Sequence, residues 1–178
     1  MRSKIQVKFL NFFFFKIFRI QGQGPIHVAS KNDDVICLTN LLAISRQIDG
    51  NYYDELFNVD DNGFNPLHIA VKYKSIKICR GKFSKKKRFI FSNIVLELLD
   101  IDKNGRLLEQ AENKCGNSPL QMAILAKNEL FAEEIAKRCS ADQINHRNFQ
   151  GETSLHMAGR AGMATRIFNF EKHALKML

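Results

Sequence analysis

The sequence predicts an all-α fold, a solenoid of about four helix-turn-helix units joined by hairpins. Three observations predict it: a short pattern opens four stretches of the chain, a glycine precedes each copy by a fixed step, and an apolar cluster at helical spacing follows each of the first three. Units repeated at intervals of tens of residues indicate stacking, because none of them buries its apolar face alone.

The copies are Gly24-Pro25-Ile26-His27-Val28-Ala29, Asn65-Pro66-Leu67-His68-Ile69-Ala70, Ser118-Pro119-Leu120-Gln121-Met122-Ala123 and Thr153-Ser154-Leu155-His156-Met157-Ala158. Each reads as a helix start. Gly, Asn, Ser and Thr are good N-caps, and proline is favoured at the first helical position, where no amide donor is needed. Gly22, Gly63, Gly116 and Gly151 each stand three residues before the Pro/Ser position, where positive φ closes a tight turn. Three residues earlier again come Asp60, Asn113 and Asn148, placed to bond the turn's own backbone; the first copy has Arg19 there. The second helix of each unit is marked by Leu38, Leu41 and Leu42, then Val95, Leu98 and Leu99, then Ala132, Ile135 and Ala136. The alanine in each first helix lets its partner approach, and the apolar residue beside the cap packs onto the neighbouring unit.

A T-P-L-H-x-A pattern inside a helix-turn-helix unit resembles the ankyrin repeat signature, and Asn65 to Ala70 with Asp60 and Gly63 is its clearest copy. The resemblance covers roughly residues 20–170, with a basic Phe-rich segment at 1–19, a basic insertion at 80–93 and a tail at 171–178. The departure is in length. The spacings are 41 (Pro25 to Pro66), 53 (Pro66 to Pro119) and 35 (Pro119 to Ser154), against about 33 for the family. Insertions of this kind emerge on one face of a stack.

The net charge of +9 is local. Residues 1–20 hold five cations and residues 77–88 hold seven, neither with an acid, so the other residues carry −3. The 80–93 segment differs in composition from its surroundings and reads as retained intron sequence in preference to a basic loop for an acidic partner; the spliced transcript distinguishes the two. Residues 1–19 read as a mispredicted start or a membrane-touching aromatic segment. Lys16 interrupts the apolar run, no small-residue cleavage site follows, and the stretch is too short to span a bilayer of about 30 Å. Cys37, Cys79, Cys115 and Cys139 stand far apart without a C-x-x-C pair, and no N-x-[ST] site occurs. Free thiols in the cytoplasm are the expectation.

Apparent chemistry has structural explanations. His27, His68 and His156 share one repeat position, three residues after the cap, from which each can bond a backbone group of its own or a neighbouring turn. Neighbouring units sit about 8–10 Å apart, too far for a shared zinc with bonds near ~2 Å. Asp100-Ile-Asp102-Lys-Asn104-Gly105 matches half of a calcium loop, but position twelve is Ala111 and Glu112 comes one residue late. An acidic loop is expected there. Neither a complete dinucleotide loop nor a P-loop is present, nor G-x-S-x-G nor H-E-x-x-H. No enzyme activity, metal or cofactor is expected, and the lysine-rich stretch lacks a nucleic-acid-binding motif.

The resemblance implies a non-catalytic protein-protein interaction module that meets another protein with its hairpin tips and the exposed side of its first helices. The matching tip residues are Asp61, Asn62, Lys114, Cys115, Phe149 and Gln150; on the helices they are Lys31, Lys72, Tyr73, Lys127 and Arg160. The uneven connections, such as residues 98–108, are similar to the cytosolic arrays of A-type transient receptor potential channels, and inhibitors of Rel-type transcription factors also have stretched early repeats. The second expectation is therefore a fragment of such a channel's cytosolic domain, supported by a fourth unit that fades after Arg166. Membrane contact follows only in that case or if residues 1–19 are genuine.

Overall fold

The computed structural model describes residues 19–48, 56–80, 93–112 and 114–163. Most of the N-terminal segment, the insertion and the tail, together with Asn113, lie outside the described residues. Among the described residues the fold is all-α, with no strand beyond an isolated bridge between Ile20 and Gln23.

The helices are α1 (Pro25–Asn32), α2 (Val35–Ile48), α3 (Pro66–Arg80), α4 (Asn93–Ile101), α5 (Arg106–Glu109), α6 (Pro119–Leu125), α7 (Glu129–Ala136), α8 (Ala141–Ile144) and α9 (Ser154–Ala161). The expected starts at Pro25, Pro66, Pro119 and Ser154 follow from local chemistry. Ser118 Oγ accepts from the Gln121 amide, Thr153 Oγ1 from the His156 amide and Asn65 Oδ1 from the His68 amide, so each side chain satisfies a donor that has no partner within its helix. Replacing Ser118 with alanine should cost about 1 kcal/mol of unfolding free energy, measured by urea titration; an unchanged midpoint would show that the Gln121 end of the box suffices.

The helices lie in two rows. α1 packs on α3, α3 on α6 and α6 on α9, while α2 packs on α4 and α4 on α7 behind them. Each pair is tied across the rows through α1 with α2, α3 with α4 and α6 with α7. Ala29, Ala70, Ala123 and Ala158 are all buried, which allows these close approaches. Leu38, Leu67, Ile94, Leu98, Leu120, Ile124, Phe131 and Ile135 fill the space between the rows. Each such side chain contributes about 1.5–3 kcal/mol by leaving water.

Residues 100–109 differ from the expected acidic loop. Asp102 is buried and its carboxylate accepts from the amides of Arg106 (2.9 Å) and Leu107 (2.8 Å), which starts the one-turn helix α5 and sinks Leu107 and Leu108 into the core. Gly105, at φ 71°, makes the preceding turn. The sequence reading also gave no signal for α8, which Ser140 caps through a reciprocal pair with Gln143.

Candidate functional site

The surface that the sequence singles out is built on hairpin turns and the helices that follow them. In the second turn, Asp60 Oδ1 accepts from the amides of Asn62 and Phe64, both at 2.9 Å. In the fourth, Asn148 Oδ1 accepts from Gln150 (3.1 Å) and Glu152 (2.9 Å) at the same offsets. The third turn is held by Glu112, one residue earlier, whose longer side chain reaches the amides of Lys114 (2.6 Å), Cys115 (2.7 Å) and Asn117 (3.4 Å). Sequence reasoning assigned this work to Asn113, which lies outside the described residues. It treated Glu112 only as a misplaced calcium ligand, whereas both its oxygens are committed to backbone donors.

The residue three beyond each of the first three caps joins one turn to the next. His27 Nδ1 accepts from the Gly24 amide and Nε2 donates to Phe64 O at 3.0 Å. His68 Nδ1 accepts from the Asn65 amide and Nε2 donates to Asn117 O at 3.1 Å. Gln121 does the same with an amide group: Oε1 accepts from the Ser118 amide, and Nε2 donates to Glu152 O at 2.9 Å and to His146 O at 3.0 Å. Phe64, Asn117 and Glu152 each immediately precede the next cap. One device is therefore used three times.

These bonds fix the neutral imidazole with its proton on Nε2 in His27 and His68. Burial holds the His68 pKa down to about 4, outweighing the Asn117 carbonyl and the nearby Glu112 and Asp60 carboxylates, which act to raise it. Burial lowers His27 as well, against the Phe64 carbonyl and Asp60. His156 is exposed and bonds within its own cap, its Nδ1 lying 2.7 Å from Thr153 Oγ1. The three histidines thus do not converge, and among the described residues no group of His, Cys, Asp and Glu is arranged to hold a metal.

The tips are also linked through their backbones. The Asp61 amide donates to Gln21 O (3.2 Å) and the Phe149 amide to Cys115 O (2.8 Å), equivalent positions in successive turns. At the middle seam Lys114 N turns inward to Glu112 instead. That seam is tied deeper: Asn65 Nδ2 donates to Leu107 O (2.7 Å) and to Gln110 Oε1 (2.8 Å), and Gln110 Nε2 donates to Phe57 O (2.8 Å). Gln110 carried no sequence signal, because its partners are more than forty residues away.

Among the tip residues, Asp61, Asn62, Lys114, Phe149 and Gln150 are exposed and Cys115 is half-buried. Phe149 is 71% exposed, its ring lying over Gly116. On the first helices Lys31, Lys72, Lys127 and Arg160 are exposed and Tyr73 is half-buried. Lys31 Nζ stands 4.9 Å from the centre of the Tyr73 ring, which links α1 to α3, and Lys72 Nζ stands 4.3 Å from that of Phe64, just before the α3 cap. Arg160 stands apart on α9, paired with both carboxylate oxygens of Glu152.

Elsewhere, a cavity of about 290 Å³ is lined by Leu108, Glu109, Ser140, Asp142, Gln143 and His146. Its imidazole is spent on Gly116 O (2.8 Å) and its Gln143 amide on Gly105 O (3.2 Å). Cys37, Cys115 and Cys139 are free thiols; burial pushes Cys139 up to about 12, far from a nucleophilic thiolate. Among the described residues, no helix is long and apolar enough to cross a membrane.

No family model matches the chain. A stretch of 55 residues, 31% of the chain, is 36% identical to Target of rapamycin complex 2 subunit AVO2 of Saccharomyces cerevisiae. The match spans 11% of that protein's length.

Proposed function

We propose that the chain is a non-catalytic protein-protein interaction module built from ankyrin repeats stacked as a solenoid. The observation that carries this reading is the device that joins turn to turn. His27, His68 and Gln121 each bond their own cap and the carbonyl just before the next one, which holds successive tips and first helices in register. A surface held in this way needs little ordering when it binds, so its contact energy is retained as affinity. The surface is also chemically mixed, with Phe149, Tyr73, Lys72 and Gln150 at its exposed or half-buried positions. Aromatic and cationic side chains of this kind dominate the energetics of protein interfaces. The yeast relative is by name a subunit of a complex, which fits a chain whose work is holding another protein.

The test is a two-hybrid selection against a library, followed by calorimetry with the purified partner. Lys72→Ala with Tyr73→Ala should weaken that complex about tenfold or more while leaving the helical signal intact. A purified partner bound equally well by the double variant would remove Lys72 and Tyr73 from the interface. Failure to obtain any protein that binds the purified chain would overturn the reading as a whole.

A further inference from the structure

We propose that the exposed surface shared by α1 and α3 takes an acidic, carboxylate-bearing segment of a partner protein. This rests on the interaction-module reading above and adds the chemistry of the partner. The argument comes from comparing equivalent positions. Lys31, Lys72, Leu125 and Arg160 each stand six residues after the helix-opening Pro or Ser, and all four are exposed. What faces them differs. On α9 the guanidinium of Arg160 is neutralised by Glu152, which lies just before the cap. Phe64 occupies that same place before α3, so Lys72 rests on a ring instead of a carboxylate. Lys31 leans across to the ring of Tyr73. Neither lysine has a carboxylate within ion-pair distance among the described residues.

A ring steers an ammonium group without cancelling its charge. Both cations are thus held in place with their outward sides unpaired. The helix beneath them carries the same bias, since α3 contains Lys72, Lys74, Lys77 and Arg80 and no Asp or Glu. Asp60, twelve residues before Lys72, is buried and spends its carboxylate on Asn62 N, Phe64 N and Gln23 Nε2. An incoming carboxylate therefore does not have to displace it. Val28, 46% exposed on α1, adds apolar surface for the stem of such a side chain.

The full chain is titrated at low salt with a labelled poly-glutamate peptide and, separately, with a mixed-sequence single-stranded oligonucleotide, both followed by fluorescence anisotropy. The peptide should bind saturably, and Lys31→Gln with Lys72→Gln should raise its Kd about fivefold or more, with two- to threefold for each single variant. Arg160→Gln should change it by less than about twofold, since that charge is already paired. Equal binding by the double variant, or an equal loss with Arg160→Gln, would overturn the proposal. So would tighter binding of the oligonucleotide, lost in the same double variant. A chain that holds a purified partner through Lys72 and Tyr73 yet ignores the peptide would overturn the acidic chemistry while leaving the interaction module standing.

Discussion

Substituting His68 with alanine is expected to destabilise the protein by about 3–4 kcal/mol, because it orphans two buried backbone groups and opens a cavity. The orphans are the Asn65 amide and the Asn117 carbonyl. His68→Gln should cost no more than about 1 kcal/mol, since Gln121 already makes the equivalent pair of bonds at the start of α6. Urea unfolding of the two variants measures the difference. The glutamine variant also separates hydrogen bonding from titration. His68 stays neutral in the fold down to about 4, whereas in the unfolded chain it takes up a proton near the ordinary 6.5. Its contribution is therefore complete above pH 6.5 and declines as the pH falls toward 4, by up to about 1.4 kcal/mol per pH unit. His27, also lowered, acts in the same direction. Asp102, raised by burial, opposes both, because the folded state takes up its proton first. Comparing His68→Gln with the parent isolates the His68 share: the variant should lose less stability between pH 6.5 and 4.5. Parallel curves would mean that His68 is not the titrating group.

Gly22→Ala is expected to cost about 3 kcal/mol, combining left-handed strain with overpacking against backbone. Gly22 has φ 71°, and a Cβ there would lie 2.5 Å from Asp61 Oδ1, 2.6 Å from Asp61 N and 3.0 Å from the Asp60 carbonyl carbon. The opposing turn cannot yield easily. Asp60 holds it through two amides, and Asp61 N is itself bonded to Gln21 O. Gly151 is the control: at φ 76° it has nothing within 4 Å of an added Cβ, so Gly151→Ala should show only the strain of about 1–2 kcal/mol. Gly116→Ala should fall between them, since its added carbon meets the exposed Phe149 ring, which can swing aside. Thermal unfolding of the three variants should rank Gly22 as the most damaging and Gly151 as the least. The reverse order would remove close packing between the first two turns as the cause.

The helix starts were legible because caps act over three or four residues. Asn65, Ser118 and Thr153 announce themselves by residue type and position. The all-α class and the second helices were legible for a similar reason, as Leu38, Val95, Leu98 and Ile135 recur at helical spacing and are buried. Other features were hidden by distance or by substitution of one chemistry for another. Glu112 holds a turn from one residue before the offset at which the shorter Asp60 does that work. Asp102 looked like a loop acid because its role depends on Leu107 and Leu108 being drawn into the core. Of the surface residues, exposure at Lys72, Phe149 and Arg160 followed from repeat position. The pairing of Arg160 with Glu152, and of Lys31 with the ring of Tyr73, did not, because these depend on where long side chains settle.

The linkage of cap, ring and next carbonyl has a direction. His27, His68 and Gln121 each donate forward to the carbonyl just before the next cap, while the amides of Asp61 and Phe149 donate backward to Gln21 O and Cys115 O. Forward side-chain bonds and backward backbone bonds cross the first and last of these seams together, so sliding one turn along its neighbour would break both sets, and their register is fixed from two sides.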